Sequence, residues 1–456
     1  MDTNIFNDIS KIAEKALIYE VMATPKPGLV DRNNSGAHSD MDVYSFVNSA
    51  IVLRDYFYEF TKSGYDNCSS DYRDILASIR EKGIEAEKQM LIATSGVNTH
   101  KGIIFSIGIL CAAVGSLISE NRIVDMESIT MRASEISEGV SGELDAEKDS
   151  EGLTYGEKLY NEHGIRGIRG EVESGFSSIK KGAYLVFSES IDLDEYSIDQ
   201  ILGQSLLYLM KTVGDSNVYG RQGLSALEYV KRSAEKALDL GGYFTENGLE
   251  FIEWLDSEFI ERNISPGGCA DLLAVIYFIH SIEKWYVEYT ERLCMDILDS
   301  REERAKLQRE LIGEYNQPVI SFTLNIPGIR KNSNRYAKVH RLGVQLILDS
   351  INEEEILYSD YKELETGNEF YLVAEVDPIE LKIMTSEIEN MHILGRIFDI
   401  DVIDTDYKSI SRTEIGLEKR KCIVCGNEAY GCVRSKAHSL EEVLEVIDEK
   451  IDSYIK

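Results

Sequence analysis

Gly102 to Ser119 reads GIIFSIGILCAAVGSLIS, an apolar run without a single charge. It falls just short of the about 20 residues that cross a bilayer. It is rich in Gly, Ser and Ala for a span, and one crossing would strand the polar motifs before and after it on opposite sides of a membrane. The run is therefore expected to be the buried central helix of a soluble domain. Apolar residues recur at helical spacing before it and within it, over Lys11 to Met22, Val43 to Phe60, Ile75 to Ile92 and Ile103 to Ile118. The same spacing returns over Ser205 to Val213, Leu224 to Leu240 and Ala270 to Tyr289. Ser265-Pro266 reads as the start of the last of these, an N-cap Ser followed by Pro at the first helical position. No strand alternation shows in this half, so an all-α helical domain is expected.

Beyond Leu293 the pattern changes. Ser300 to Tyr315 is a charged helix, and PVISFTL, Pro318 to Leu324, is a short β-branched run. A helix over Asn334 to Ile351 follows, then strands over Ile356 to Tyr361 and Glu369 to Glu375. Pro378 opens a helix to about Met391, Ile397 to Ile403 is a further strand, and Leu440 to Tyr454 is a final helix. The expectation is a multidomain protein: residues 1–292 all-α, then residues 293–456 forming a smaller α+β domain with a β-α-β-β-α-β core.

The 456 residues are 43% hydrophobic and 28% charged, with a formal net charge of -32. Such an acidic chain should not coat nucleic acid or anionic membrane, and any phosphate must be held by locally placed Lys and Arg. The seven Cys, an odd number of which four are scattered, fit reduced thiols in a cytoplasm.

The polar residues gather in islands at helix edges. TPKPG, Thr24 to Gly28, is a stiff loop with a Lys between two prolines, and Asp31, Arg32 and His38 follow it. GVNTHKG, Gly96 to Gly102, places His100 and Lys101 at a helix N-terminus suited to a phosphate. Arg166, Arg169, Glu171 and Glu173 sit among glycines between Gly164 and Gly175. Asp215, Asn217 and Arg221 form a fourth island, and NISPGGCAD, ending at Asp271, a fifth. Any one island is a turn more often than a site, but five on one helical scaffold suggest a single crevice. Lys26, Arg32, Lys101, Arg166, Arg169 and Arg221 are the phosphate candidates. Glu171, Glu173 and Asp215, then Asp31 and Asp271, are candidates for a base or for Mg²⁺. His38 and His100 serve equally as ligand contacts or as structural histidines.

In the second half, Asp399 and Asp401 lie two apart in GRIFDIDV and so face one side of a strand. That suits Mg²⁺ in phosphoryl or nucleotidyl transfer, or simply a solvated strand face. Cys422-x2-Cys425-x6-Cys432-x5-His438 has the ligand types and spacing of a zinc knuckle, or is three thiols and a His beside a site.

TPKPGLVDRNNSGAHSDMD, GVNTHKG, GIRGEVESGF and NISPGGCADLLA resemble the triphosphoribosyl-dephospho-CoA synthase family over nearly all of residues 1–290. The resemblance implies attack of a dephospho-CoA ribose hydroxyl on C1' of ATP, with release of adenine and with Mg²⁺ on the triphosphate. VISFTLNIPGIRK, HILGRIFDIDV and RKCIVCGNEAYGCVRSKAH resemble the citrate lyase holo-acyl-carrier-protein synthases over most of residues 293–456. That resemblance implies transfer of the prosthetic group to a serine of the lyase's acyl-carrier subunit, with loss of pyrophosphate. Asp399 and Asp401 would hold Mg²⁺, and Arg330, Lys331, Arg396, Arg434 and Lys436 would bind triphosphate or carrier. His392 or His438 would accept the proton. RKNSNRYAKVHR, Arg330 to Arg341, is either the carrier-docking surface or an ordinary basic helix face. The competing readings are the same chemistry serving malonate decarboxylase, and a non-catalytic zinc adaptor that binds nucleotides.

Overall fold

The computed structural model describes residues 2–67, 71–145, 167–193 and 195–455. It divides into a unit spanning Asp2–Tyr286 and a second that begins at Val287. Arg166 lies outside the described residues.

The first unit is helical, with no strand among its described residues. Its helices are α1 (Asp2–Met22), α2 (Val43–Asp66), α3 (Tyr72–Ala93), α4 (Lys101–Ser119), α5 (Met126–Ile136) and α6 (Gly167–Glu173). They continue with α7 (Ala183–Asp192), α8 (Ile198–Thr212), α9 (Ser216–Asp239), α10 (Glu246–Glu261) and the start of α11 (Gly267–Tyr315). The apolar run of α4 is buried from Ile103 to Ser119 apart from Phe105, which is half-buried. Its small residues have a packing purpose. A Cβ on Gly115 would fall 2.1 Å from the Thr61 carbonyl oxygen, and one on Gly64 of α2 would fall 1.9 Å from that of Ala112. The two helices thus touch backbone to backbone, and the glycines read from sequence as unsuited to a span are what permit it.

Sequence patterning missed α5, α6, α7 and α10, although each of α5 and α10 begins at a capping side chain, Asp125 on Ser128 N–H and Thr245 on Gly248 N–H. One start signal moves by a residue. The Pro266 carbonyl, not that of Ser265, accepts the first α-type bond of α11, from Ala270 N–H at 3.2 Å. The Ser265 hydroxyl is instead 2.9 Å from His38 Nε2.

The second unit carries β1 (Val319–Leu324), α12 (Asn334–Asp349), β2 (Ile356–Lys362), β3 (Glu369–Ala374) and α13 (Pro378–Met391). It ends with β4 (Phe398–Ile403), α14 (Ala429–Ser435) and α15 (Leu440–Ile455). The strands form an antiparallel four-stranded sheet in the order β2-β3-β1-β4. Ile320, Phe322, Leu372, Phe398, Ile400 and Val402 pack one face against Val339, Ile347, Leu381, Leu444 and Ile447 of the helices. On the other face Leu311 and Ile312 of α11 cover Val319, Tyr371, Val373 and Ile403. Covered on both faces, β3 is buried along its whole length.

Candidate active sites

In the helical unit, connections and helix starts converge on a cleft of about 980 Å³. The loop after α1 brings Lys26 and His38, the start of α4 brings Lys101, and α6 brings Arg169 and Glu171. The starts of α9 and α11 bring Asp215, Asn217, Arg221 and Asp271. Helix N-termini carry N–H groups without intrahelical partners and the positive end of the macrodipole, so their convergence makes an anion-attracting wall.

The loop after α1 is held from several sides. Asp31 accepts from Thr24 Oγ1 (2.8 Å) and from the N–H groups of Lys26 (2.9 Å), Asn33 (2.7 Å) and Asn34 (3.0 Å). It is a loop-shaping carboxylate and does not line the cleft. Asp256 of α10 accepts from Gly28 N–H (2.9 Å) and Asn34 Nδ2 (2.9 Å), and Tyr243 Oη donates to the Pro25 carbonyl at 2.5 Å. Lys26 is 1% exposed, and its ammonium donates to the Glu20 carbonyl at 2.7 Å and pairs with the Glu20 carboxylate. Burial pushes the Glu20 carboxyl up, and Lys26 opposes that. Glu20 also lines the cleft but gave no signal in the sequence, because it occupies an ordinary position in a helical run.

His38 faces the Arg221 guanidinium at 3.2 Å, and Arg221 also donates to the Ala37 carbonyl at 3.0 Å. Burial and then the Arg221 charge lower the His38 pKa, which favours its neutral form, against the opposing pull of Asp40. His100 is fully buried, with Nδ1 2.7 Å from Ser49 Oγ and Nε2 without a hydrogen-bond partner. Lys101 reaches Glu87 at 2.6 Å on the exposed rim. Arg32 pairs with Asp199, and neither Arg32, His100 nor Glu173 lines the cleft. Glu173 accepts from Gly139 N–H at 2.8 Å.

The acids differ in how much of their capacity is used. Asp215 caps α9 through Asn217 N–H (2.8 Å) and Val218 N–H (3.2 Å), and its other oxygen accepts from Cys269 N–H at 2.9 Å in α11. Burial raises its pKa against the pull of those three amides. One carboxylate therefore joins two helix starts. Glu171 accepts from Ser178 Oγ at 2.5 Å and from Ser178 N–H at 3.2 Å. Asp271 accepts no hydrogen bond among the described residues, and burial, then Glu20 and Asp215, push its pKa well above the carboxylate range. Gly102 gives it room, since a Cβ there would lie 2.0 Å from Asp271 Oδ2.

In the second unit Asp399 and Asp401 project from the edge strand β4 on the face opposite Phe398, Ile400 and Val402. They lie across from Thr323 and Ser321 of β1. The free edge of β4 is satisfied by side chains: Ile400 N–H donates to Glu389 at 3.1 Å, and Lys382 donates to the Ile400 carbonyl at 3.0 Å. Arg420 bridges Asp399 (2.8 Å), the Phe398 carbonyl (2.9 Å) and Glu389, and Arg412 reaches Glu389 at 2.8 Å. Asp401 keeps one long contact, from Ser409 Oγ at 3.4 Å. Desolvation, then the Asp399 charge, raises its pKa although solvent reaches the residue. Arg396 makes no hydrogen bond among the described residues and feels Arg420 and Arg412. Sequence reading missed Lys382, Glu389, Arg412 and Arg420, because fold contacts alone bring them to the acid pair.

The remaining candidates of this unit lie elsewhere. Arg330 is buried, and Lys331 donates to the Ile326 carbonyl. Arg335 pairs with Asp448 (3.3 Å) and Asp452 (2.5 Å), Arg341 pairs with Glu363, and His340 is buried against Phe322. The stretch from Arg330 to Arg341 thus shows less free positive charge than its sequence suggests. His392 stacks on Phe398 with ring centroids 5.7 Å apart. Arg434 and Lys436 belong to the exposed Cys-rich loop with Cys422, Cys425, Cys432 and His438, whose ligand atoms all lie within 4.8 Å of one another.

Comparison with known proteins places both units. The family model for ATP:dephospho-CoA triphosphoribosyl transferase matches residues 6–289, and that for apo-citrate lyase phosphoribosyl-dephospho-CoA transferase matches residues 293–454. A probable 2-(5''-triphosphoribosyl)-3'-dephosphocoenzyme-A synthase of Vibrio cholerae serotype O1 is 38% identical over 275 residues, 60% of this chain and 88% of the relative. One from Salmonella typhi is 39% identical over 273 residues, covering 60% of this chain and 90% of its own length. The synthase of Klebsiella pneumoniae is 38% identical over 272 residues with the same coverage, 60% and 90%. The chain is a transferase that belongs, through residues 6–289, to the ATP:dephospho-CoA triphosphoribosyl transferase family, joined to a citrate lyase phosphoribosyl-dephospho-CoA transferase domain over residues 293–454.

Proposed function

We propose that the chain makes and attaches the citrate lyase prosthetic group. The helical unit converts ATP and 3'-dephospho-CoA into 2'-(5''-triphosphoribosyl)-3'-dephospho-CoA and adenine. The second unit transfers the phosphoribosyl-dephospho-CoA group to a serine of the acyl-carrier subunit and releases pyrophosphate. The observation that carries the reading is the 980 Å³ cleft, which gathers cations, acids and helix N-termini within the stretch matched to the synthase family.

In the first reaction Lys101, Arg169 and Arg221 bind the triphosphate at the helix starts. Asp271 takes the proton of the attacking ribose hydroxyl as the new C–O bond forms at C1' and the C1'–N9 bond breaks, its electron pair leaving with adenine, which takes up a proton from solvent. Asp271 suits this role because no donor among the described residues consumes its carboxylate. Asp215 and Asp31 are positioning residues whose oxygens are spent on backbone amides. His38 and buried Lys26 shape the wall between them. The acids of the cleft fit a hard cation such as Mg²⁺, which would neutralise triphosphate charge.

In the second reaction Asp399 and Asp401 fit Mg²⁺ in the same way, with Asp401 the less engaged of the two. Arg396, which feels Arg420 and Arg412 and makes no hydrogen bond among the described residues, takes phosphate charge as the carrier hydroxyl attacks the α-phosphorus in line with the departing pyrophosphate. The element order and strand order of this unit are read as a split-βαβ, ferredoxin-like core, with a cytoplasmic setting for the whole chain. Malonate decarboxylase as the client would require its carrier to be modified in preference to that of citrate lyase.

The test is chromatography of the protein with ATP, Mg²⁺ and dephospho-CoA, then with the acyl-carrier subunit added. Stoichiometric adenine and a more anionic CoA species, followed by a mass increase on the carrier, support the reading. Folded protein that releases no adenine overturns the first half, and an unmodified carrier given the intermediate overturns the second.

A further inference from the structure

The long connection between β4 and α15 has a feature that neither proposed reaction uses. No residue from Ser411 to Val443 is buried. Only Ile415, Ile423 and Val443 lean on the unit's core. A segment this poor in apolar burial has little to offset the conformational entropy of ordering it. It is nevertheless built as a compact tight-turned loop. Gly426 N–H donates to the Cys422 carbonyl at 3.1 Å, Cys422 N–H donates to the Asn427 carbonyl at 2.6 Å, and Gly426 takes a φ of +74°. The turn brings Cys422 and Cys425 to the same side, and α14 delivers Cys432.

Three thiols and an imidazole then meet, with the four ligand atoms within 4.8 Å of one another and Cys425 Sγ 3.5 Å from Cys432 Sγ. Ligands around a tetrahedral zinc at about 2.3 Å (sulfur) and 2.0 Å (nitrogen) stand on the order of 3.5 Å apart. The His438 ring is divided in its contacts: Nδ1 lies 3.4 Å from the Glu442 carboxylate, and Nε2 is buried with no hydrogen-bond partner. A metal-bound imidazole has this arrangement, one nitrogen on the ion and the other held by a carboxylate.

We propose that Cys422, Cys425, Cys432 and the Nε2 atom of His438 form a structural zinc site, with Glu442 orienting the imidazole. Four protein ligands leave no open position, so the ion is a clip and not a Lewis acid for the transfer reaction. Its consequence for the molecule is Arg420. That residue lies two positions before Cys422 and spans Asp399 and Glu389 at the acid pair. The clip therefore fixes the segment that holds Arg420 against β4.

The test is independent of either activity. Full-length protein purified without chelator is expected to hold about one zinc per chain by elemental analysis. Replacing it with Co²⁺ should give the strong ligand-field and thiolate-to-metal bands of a tetrahedral site. Glu442→Gln should keep the site and weaken its affinity about 10–100-fold, and Cys425→Ser should abolish the thiolate-rich cobalt spectrum. Chelation of the wild-type chain should open residues 411–443 to protease while the helical unit stays resistant. Metal-free folded protein whose cobalt spectrum is weak and octahedral overturns the proposal. So does a Cys425–Cys432 disulfide found by mass spectrometry in protein kept reduced during purification. The deciding spectrum is read on wild-type protein, so it serves even where a Cys variant fails to fold.

Discussion

Acidification should loosen the helical unit through His100. This imidazole is fully buried at the start of α4, and burial and then the Lys26 charge depress its pKa to about 3. In the unfolded chain it titrates near about 6.5. The unfolded state therefore takes up the proton first, and stability that is fully present above about pH 6.5 is lost as pH falls toward 3. At about 1.4 kcal/mol per pKa unit, the full window is worth roughly 5 kcal/mol, of which roughly 2 kcal/mol is gone by about pH 5. The assay is hydrogen exchange of α4 amides, corrected for intrinsic rates, in the wild type and in His100→Asn at about pH 8 and about pH 5. Comparison of the two proteins cancels what other groups contribute, including the raised carboxyls of Glu20 and Asp271. The wild type should lose about 2 kcal/mol more opening free energy than the variant across that interval. Equal losses in both proteins would refute the reasoning, because the proton would then be going elsewhere.

Gly115→Ala should cost at least about 1–3 kcal/mol, since its Cβ meets backbone and not a movable side chain; an unchanged melting transition of the helical unit would contradict the close α2–α4 contact. Glu20→Gln strands the Lys26 ammonium in a buried pocket, with an expected cost of about 3–5 kcal/mol by chemical denaturation. Asp271→Asn should slow adenine release by about 10²–10⁴-fold with an unaltered circular dichroism spectrum, and full activity would remove it as the base. Asp401→Asn should abolish carrier modification and leave adenine release at its wild-type rate, which chromatography of both products reads in one experiment.

The sequence by itself determined much of the architecture, because periodicity is a local property. Apolar spacing announced α1 to α4 and α8, and the β-branched runs of VISFTL and FDIDVI announced a central and an edge strand of the sheet. The clustering of three Cys and a His was likewise legible, since their spacing is short-range. What spacing could not convey is where a polar side chain spends its hydrogen bonds. Asp31, Asp215 and Asp271 look alike in sequence, yet two are consumed by backbone amides and one is left to the cleft. Glu20, Asp256 and Glu389 carried no signal, and Arg420 none for its role, because partners such as Lys26, Gly28, Ile400 and Asp399 reach them only once helices and strands have packed. Residue types and their spacing set what chemistry was available, and tertiary contact decided which groups remained free to perform it.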